Sequence, residues 1–173
     1  MTDQAQDQDE AQDQDQAQNQ DQAQNQAQDR AQAQDQPQEQ APDAVLRLVV
    51  DAELTGSELN ELFRASWPGH RDTDFAPVLA RRLLHVTARR DGRLVGYVNV
   101  VGDGGAHAFL LDTTVHPDER RRRLGVALVR AAAEAARERG AQWLHVDFEP
   151  HLTGFYEECG FRGTAAGLMR LDP

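Results

Sequence analysis

Four consecutive arginines, Arg120 to Arg123, stand immediately before a run in which Leu124, Leu128, Ala132 and Ala135 recur at intervals of three to four. That spacing predicts an amphipathic helix, with Gly140 available to end it and Arg137 and Arg139 in its last turn. Cations at a helix start work against the macrodipole by about 0.3 to 1 kcal/mol each. A bound phosphate reverses that cost. The unpaired backbone N–H groups at a helix start, here those of Leu124, Gly125 and Val126, supply directional donors, and guanidinium groups add charge and forked hydrogen bonds. The segment therefore reads as a pyrophosphate cradle, the alternative being a solvated basic corner.

A site of this kind needs a strand to deliver the chain to it and a sheet to hold it. Phe109 to Val115 reads as that strand, and Trp143 to Phe148 as another after the helix. Upstream, a strand at Val45 to Val50 precedes a helix opened by Thr55-Gly56-Ser57-Glu58, which has capping-box spacing. Leu59, Leu62 and Phe63 give that helix its buried face, and Trp67-Pro68-Gly69 stops it. A shorter helix is expected around Phe75 to Arg82, then a strand from Leu83 to Ala88, a turn at Asp91-Gly92 and a second arm from Leu94 to Val101. After Gly160 a short strand and a closing one, Leu168 to Leu171, complete the order β-α-α-β-β-β-α-β-α-β-β. The expected fold class is α/β (an α+β mixed sheet).

Arg120 to Gly125, together with Gly154-Phe155-Tyr156-Glu157-Glu158-Cys159-Gly160-Phe161, resembles the two motifs of the GNAT superfamily of acyl-CoA-dependent N-acyltransferases. The resemblance covers residues 45 to 171 in outline and is most specific from 107 to 161. The fourth position of the first motif, where the family carries glycine, is Arg123. The resemblance implies acetyl-CoA as acyl donor, held by Arg120, Arg121, Arg122, Arg123, Leu124, Gly125 and Val126. It also implies that the strands before the two motifs splay apart around pantetheine, where Thr113 and Val115 offer backbone groups.

Acyl transfer to an amine needs a neutral nucleophile, a donor for the carbonyl oxygen and a proton for the departing thiolate. The resemblance gives Tyr156 the general-acid position; a purely packing role beside Phe155 is the alternative. The base is left open, because the strand position where some family members carry glutamate is here Phe109. Asp112, Glu149 and His151 are the candidates, each acting directly or through water. Their alternatives are to hold the Thr113-Thr114 turn, to cap the helix after Pro150, and to be an ordinary surface or core histidine. Acceptor selection is expected in Trp67 to Asp74 and in the loop Gly102 to Gly105. The acceptor itself is a small-molecule or peptide amine.

Composition divides the 173 residues into two pieces. Between residues 4 and 40 every even position is Gln except Glu10 and Arg30, with Asp, Ala and Asn on most odd positions. Neither alternating face is apolar, so residues 1–43 are expected to be a disordered low-complexity tail and 44–173 the folded domain. The tail carries 11 acidic residues and one Arg, leaving 18 acidic and 17 basic residues in the domain. A near-neutral domain gives no general attraction to nucleic acid, and no nucleic-acid partner is expected. The single cysteine, Cys159, allows no intrachain disulfide. No apolar run suits a membrane span, and the polar start lacks a signal-peptide core. The expected setting is cytoplasmic, as monomer or homodimer. The six histidines show no recognised metal-ligand spacing, so no metal is expected. Two further readings remain: a domain that binds acyl-CoA without catalysis, and an interaction protein using its polar tail or its arginine run.

Overall fold

The computed structural model describes residues 45–171, so the Gln/Asp tail lies outside the described residues. Five strands form one sheet in chain order: β1 (Leu46–Val50), β2 (Leu84–Arg90), β3 (Arg93–Gly102), β4 (His107–Val115) and β5 (Trp143–Val146). The first four pair antiparallel, and β4 pairs parallel with β5. Helices α1 (Gly56–Ser66) and α2 (Ala76–Arg81) separate β1 from β2, α3 (Leu124–Glu138) links β4 to β5, and α4 (Thr153–Cys159) follows β5.

Local chemistry accounts for each boundary near the site. Thr55 and Glu58 form a reciprocal capping box at the start of α1, whose last residue precedes Trp67. Asp91 and Gly92 take φ 49° and 85°, the left-handed pair that a tight β2–β3 hairpin demands. The buried stripe of α3 includes Leu124, Leu128, Ala132 and Ala135, as the spacing predicts. Together with Leu84, Val86, Val98, Val100 and Leu110 from the strands it makes the larger core. Leu59, Leu62, Phe63 and Phe75 pack with Leu94 and Tyr97 as a second core.

Two irregularities shape the site. Tyr97 faces Thr114 and Asn99 faces Leu111, so two residues of β4, Asp112 and Thr113, oppose the single Val98 of β3. This β-bulge, with Asp112 at φ 56°, re-aims the end of β4. The β4–β5 pairing stops at Leu110 and Val146 while β4 runs on to Val115, so the two chains part beyond that point.

The two closing strands expected after Gly160 do not form: residues 161–171 have no regular secondary structure. Leu168, Met169 and Leu171 are 80% or more exposed. Phe161 still packs on Tyr156, but Gly163 to Gly167 offers only small side chains and hydroxyl, and β5 presents an edge of four residues. Such a segment buries too little apolar surface to repay its ordering. Among the described residues no helix is long and apolar enough to cross a membrane.

Candidate active site

Beyond the point where β4 and β5 part lies a cavity of about 420 Å³. Its walls are the end of β4 (Thr113, Thr114, Val115), the turn into α3 (Glu119, Arg120, Arg121, Arg123), the first turn of α3 (Leu124, Gly125, Val126), α4 with its preceding turn (Leu152, Phe155, Tyr156, Glu158), and Ser66 and Trp67. Nine of the residues expected from sequence meet there: Thr113, Val115, Arg120, Arg121, Arg123, Leu124, Gly125, Val126 and Tyr156.

The arginine turn is held in an unusual conformation. Arg121 and Arg123 both have φ 61°, and Arg123 occupies the residue before the first turn of α3. Each left-handed non-glycine residue costs about 1 to 2 kcal/mol. The first N–H groups of this fifteen-residue helix have no side-chain cap, and Leu124, Gly125 and Val126 of its first turn line the cavity. Gly125 admits a close approach: a Cβ there would sit 3.0 Å from Cε2 of Phe155. Alternating left-handed residues beside a helix start make an anion-binding concavity, and the chemistry of this donor set fits a pyrophosphate.

Carbonyl and carboxylate oxygens tie three of the arginines in place. Arg120 donates to the carbonyl oxygens of Ser66 at 3.2 Å and Val115 at 3.4 Å, joining α1 to β4. Glu119, only 5% exposed, accepts from Arg90 at 2.6 and 2.9 Å and from Arg122 at 3.2 Å. The Arg90 guanidinium holds the Glu119 carboxyl below its usual range. Arg122 is thereby committed to Glu119 and is not part of the cavity wall. Arg123 pairs with Glu158 of α4.

Tyr156 is buried, its ring stacked on Phe148 at 4.5 Å and edge-on to Phe155 at 4.8 Å. Burial raises its pKa above that of an ordinary tyrosine. The Thr113 hydroxyl lies near enough to work against that rise without making a hydrogen bond of good geometry. The three base candidates are not in the wall. Asp112 precedes it on the bulge, half-buried, and burial raises its pKa. Glu149 is exposed and starts the turn Pro150–Leu152 without a side-chain capping bond, so the alternative capping role is not met either. His151 is exposed as well.

Trp67 contributes to the wall as expected of its loop, its ring stacked on Phe63 at 4.5 Å. The Gly102–Gly105 loop does not: Gly102, Gly104 and Gly105 border a separate cavity of about 160 Å³ with His107 and Arg139. Sequence reasoning missed Ser66, Thr114, Glu119, Leu152, Phe155 and Glu158. Phe155 and Glu158 lay inside the second motif, one and two places from Tyr156, and so carried a signal. Glu119 carried none, because its partner Arg90 comes from a distant strand. Two histidines that sequence spacing kept apart, His107 and His145, meet across β4 and β5 at 2.8 Å. Among the described residues no group of three or more His, Cys, Asp or Glu is placed to hold a metal ion.

The family model described as "Acetyltransferase (GNAT) family" matches residues 53–161. A mycothiol acetyltransferase of Mycolicibacterium vanbaalenii is 37% identical over 70 residues, which is 40% of this chain and 23% of that protein. The match thus spans about a quarter of that relative's length. A GNAT-family acetyltransferase of Streptococcus pneumoniae superposes with a TM-score of 0.62 at 21% identity, covering 74% of this chain and 100% of that one. The aminoglycoside N-acetyltransferase AAC(6')-Iy, in complex with CoA, gives 0.61 at 19% identity, covering 76% and 98%.

Proposed function

The chain belongs to the acetyltransferase (GNAT) family, and from that premise we propose that it moves an acetyl group from acetyl-CoA to a primary amine, both bound together, with no covalent enzyme intermediate. The observation that carries this reading is one cavity shared by the arginine turn, the free start of α3 and the Tyr156 hydroxyl-bearing ring, at the place where β4 and β5 part.

Each wall then has a task. The N–H groups of Leu124, Gly125 and Val126, with Arg120, Arg121 and Arg123, hold the pyrophosphate. Thr113 and Val115 line the path of the pantetheine arm. Tyr156 donates a hydrogen bond to the sulfur as it leaves. Asp112 accepts a proton from the acceptor ammonium. Its raised pKa suits that duty, because a carboxylate closer in basicity to the amine takes the proton with a smaller penalty. Activity that depends on ionised Asp112 is lost as pH falls through this raised value. Carboxylates at Asp112 and Glu149 favour a cationic acceptor, and the aminoglycoside acetyltransferase among the structural neighbours makes polyamine-like small molecules the first class to try. The reading places the protein where acetyl-CoA is supplied, which we take to be the cytoplasm.

That Asp112 and Glu149 lie outside the cavity wall favours a second reading, a domain that binds acyl-CoA without turnover. Thiol release from acetyl-CoA with a panel of spermidine, kanamycin, glycinamide and a tetrapeptide separates the two. Turnover with any one supports the transferase, and acetyl-CoA binding without turnover on a broadened panel supports the second reading.

A further inference from the structure

On the sheet face turned away from α3, four polar side chains form a two-by-two block. Strand register sets His85 opposite Asn99 and Thr87 opposite Tyr97. All four are 1% exposed or less. Side chains so paired on one face lie within reach of one another. Thr87 satisfies its hydroxyl by donating to the carbonyl of Val49 at 3.3 Å. The other three residues leave four buried atoms with no protein partner: Nδ1 of His85, the Tyr97 hydroxyl, and both Nδ2 and Oδ1 of Asn99. Each is a desolvated polar atom with no hydrogen bond to offset its burial, so stability alone does not explain them.

The block has two ends. At one, the β4 bulge sets Asp112 beside β3, close enough for its charge to add to the burial that raises the Tyr97 pKa. At the other, Nε2 of His85 lies 3.0 Å from the carbonyl of Ala52 and must donate to it. Nδ1 is therefore the open lone pair, 3.5 Å from Oδ1 of Asp51. Asp51 is about one-third exposed and reaches solvent, flanked by Arg139 at 2.5 Å and Arg82 at 3.9 Å. The block thus runs from the candidate base across β3 and β2 to the protein surface.

We propose that Tyr97, Asn99 and His85 are the proton exit of the acetyl transfer, conducting to Asp51 and solvent the proton that the acceptor amine gives to Asp112. The inference rests on the acetyltransferase reading. Converting an ammonium to an amide removes two N–H protons. One ends on sulfur as the free thiol, on the Tyr156 side. The other must reach water. Asp112 takes it and becomes a carboxylic acid, then passes a proton through water held at Asn99 to the Tyr97 oxygen as Tyr97 releases its own hydroxyl proton onward. Nδ1 of His85 receives it, a swing of the imidazolium ring turns that N–H from the Tyr97 side to the Asp51 carboxylate, and loss to solvent at Asp51 with return of the ring restores every group to its starting form. Tyr97 is never a phenolate in this sequence, in keeping with a pKa pushed above the ordinary tyrosine value. The groups facing His85 are Asp51 after β1, Arg82 before β2, Arg139 after α3 and Tyr97 on β3. Burial, helped by the two arginines, outweighs Asp51 and the Ala52 carbonyl and keeps the resting ring neutral, ready to accept.

The test uses Tyr97→Phe and Asn99→Leu in the full chain, with the amine of the panel that supports most turnover. Tyr97→Phe is expected to keep or raise the melting temperature, since it removes an unpartnered hydroxyl. It should lower kcat about tenfold, leave KM for acetyl-CoA unchanged and enlarge the solvent deuterium isotope effect on kcat. His85→Gln should lose activity that added imidazole partly restores. Wild-type kcat and isotope effect in Tyr97→Phe would overturn the proposal. If the wild-type protein binds acetyl-CoA but turns over none of a broadened panel, the acetyltransferase reading fails on its own account. The path is then judged by a crystal structure at high resolution. Ordered water bonded to the Tyr97 hydroxyl and the Asn99 amide supports it, and a dry block overturns it.

Discussion

Replacing Tyr156 by Phe removes one oxygen and leaves a ring of the same shape against Phe148, Phe155 and Phe161. An ordinary tyrosine titrates about 1.5 units above a thiol, so complete proton transfer to the leaving sulfur is uphill by about 2 kcal/mol. Burial raises the Tyr156 pKa further and makes full transfer less favourable still. The hydroxyl therefore acts chiefly as a hydrogen-bond donor to a sulfur that is gaining negative charge. A hydrogen bond to a charged group is worth about 1.5 to 3 kcal/mol, which corresponds to a fall of roughly ten- to a hundredfold in kcat. CoA affinity and melting temperature should change little, because the aromatic packing is kept. Because its pKa is raised, Tyr156 stays protonated through the neutral and mildly alkaline range and contributes no alkaline loss of activity there. Steady-state thiol release, with CoA affinity measured separately by calorimetry, checks all three expectations. A Tyr156→Phe variant with kcat within twofold of wild type would remove the hydroxyl from the mechanism, and an equal loss of CoA binding would mean that it shapes the cavity instead.

Glu58 accepts from the Thr55 backbone and from Arg89, and its pKa is lowered to about 2, chiefly by the Arg89 hydrogen bond. Its stabilisation is fully present above the unfolded value of 4.5 and is lost as pH falls toward about 2. Glu58→Gln should cost about 1 to 2 kcal/mol at neutral pH after discounting for solvent screening, with the difference from wild type vanishing near pH 2 in denaturant melts. Gly125→Ala gains about 1 kcal/mol of helix propensity but drives a methyl to within 3.0 Å of Phe155. The melting temperature should stay near wild type while displacement of that ring weakens CoA binding, measured by calorimetry. Arg123→Gly relieves a left-handed residue worth about 1 kcal/mol and gives up an exposed ion pair worth about 0 to 1 kcal/mol. Stability equal to or slightly above wild type, with weaker CoA binding at low salt, is the expected outcome, and a sharp loss of stability would contradict it.

Local signals carried most of the fold. Thr55 with Glu58, the Asp91-Gly92 turn and the Leu124-to-Ala135 stripe each encode their element within a few residues, and all three formed as expected. The closing strands failed because Leu168 to Leu171 has apolar residues but no β-branched or aromatic ones, and its side chains are left exposed. The cradle was legible because the arginines and the helix start are contiguous. Glu119 with Arg90, Arg123 with Glu158, and the block of His85, Tyr97 and Asn99 depend on which residues the strand register and helix docking bring together. No spacing along the chain reports that. Asp112 shows both sides: its strand was legible, while the bulge that turns it out of the cavity wall appears only once β3 and β4 are paired.

Calorimetric titration of acetyl-CoA and of CoA into the full chain tests the central claim most directly, because every role assigned to the cavity presupposes that it holds this molecule. Saturable micromolar binding at one site, weakened by added salt and by Arg120→Ala, is predicted. Absence of binding by the folded wild-type chain would contradict the account.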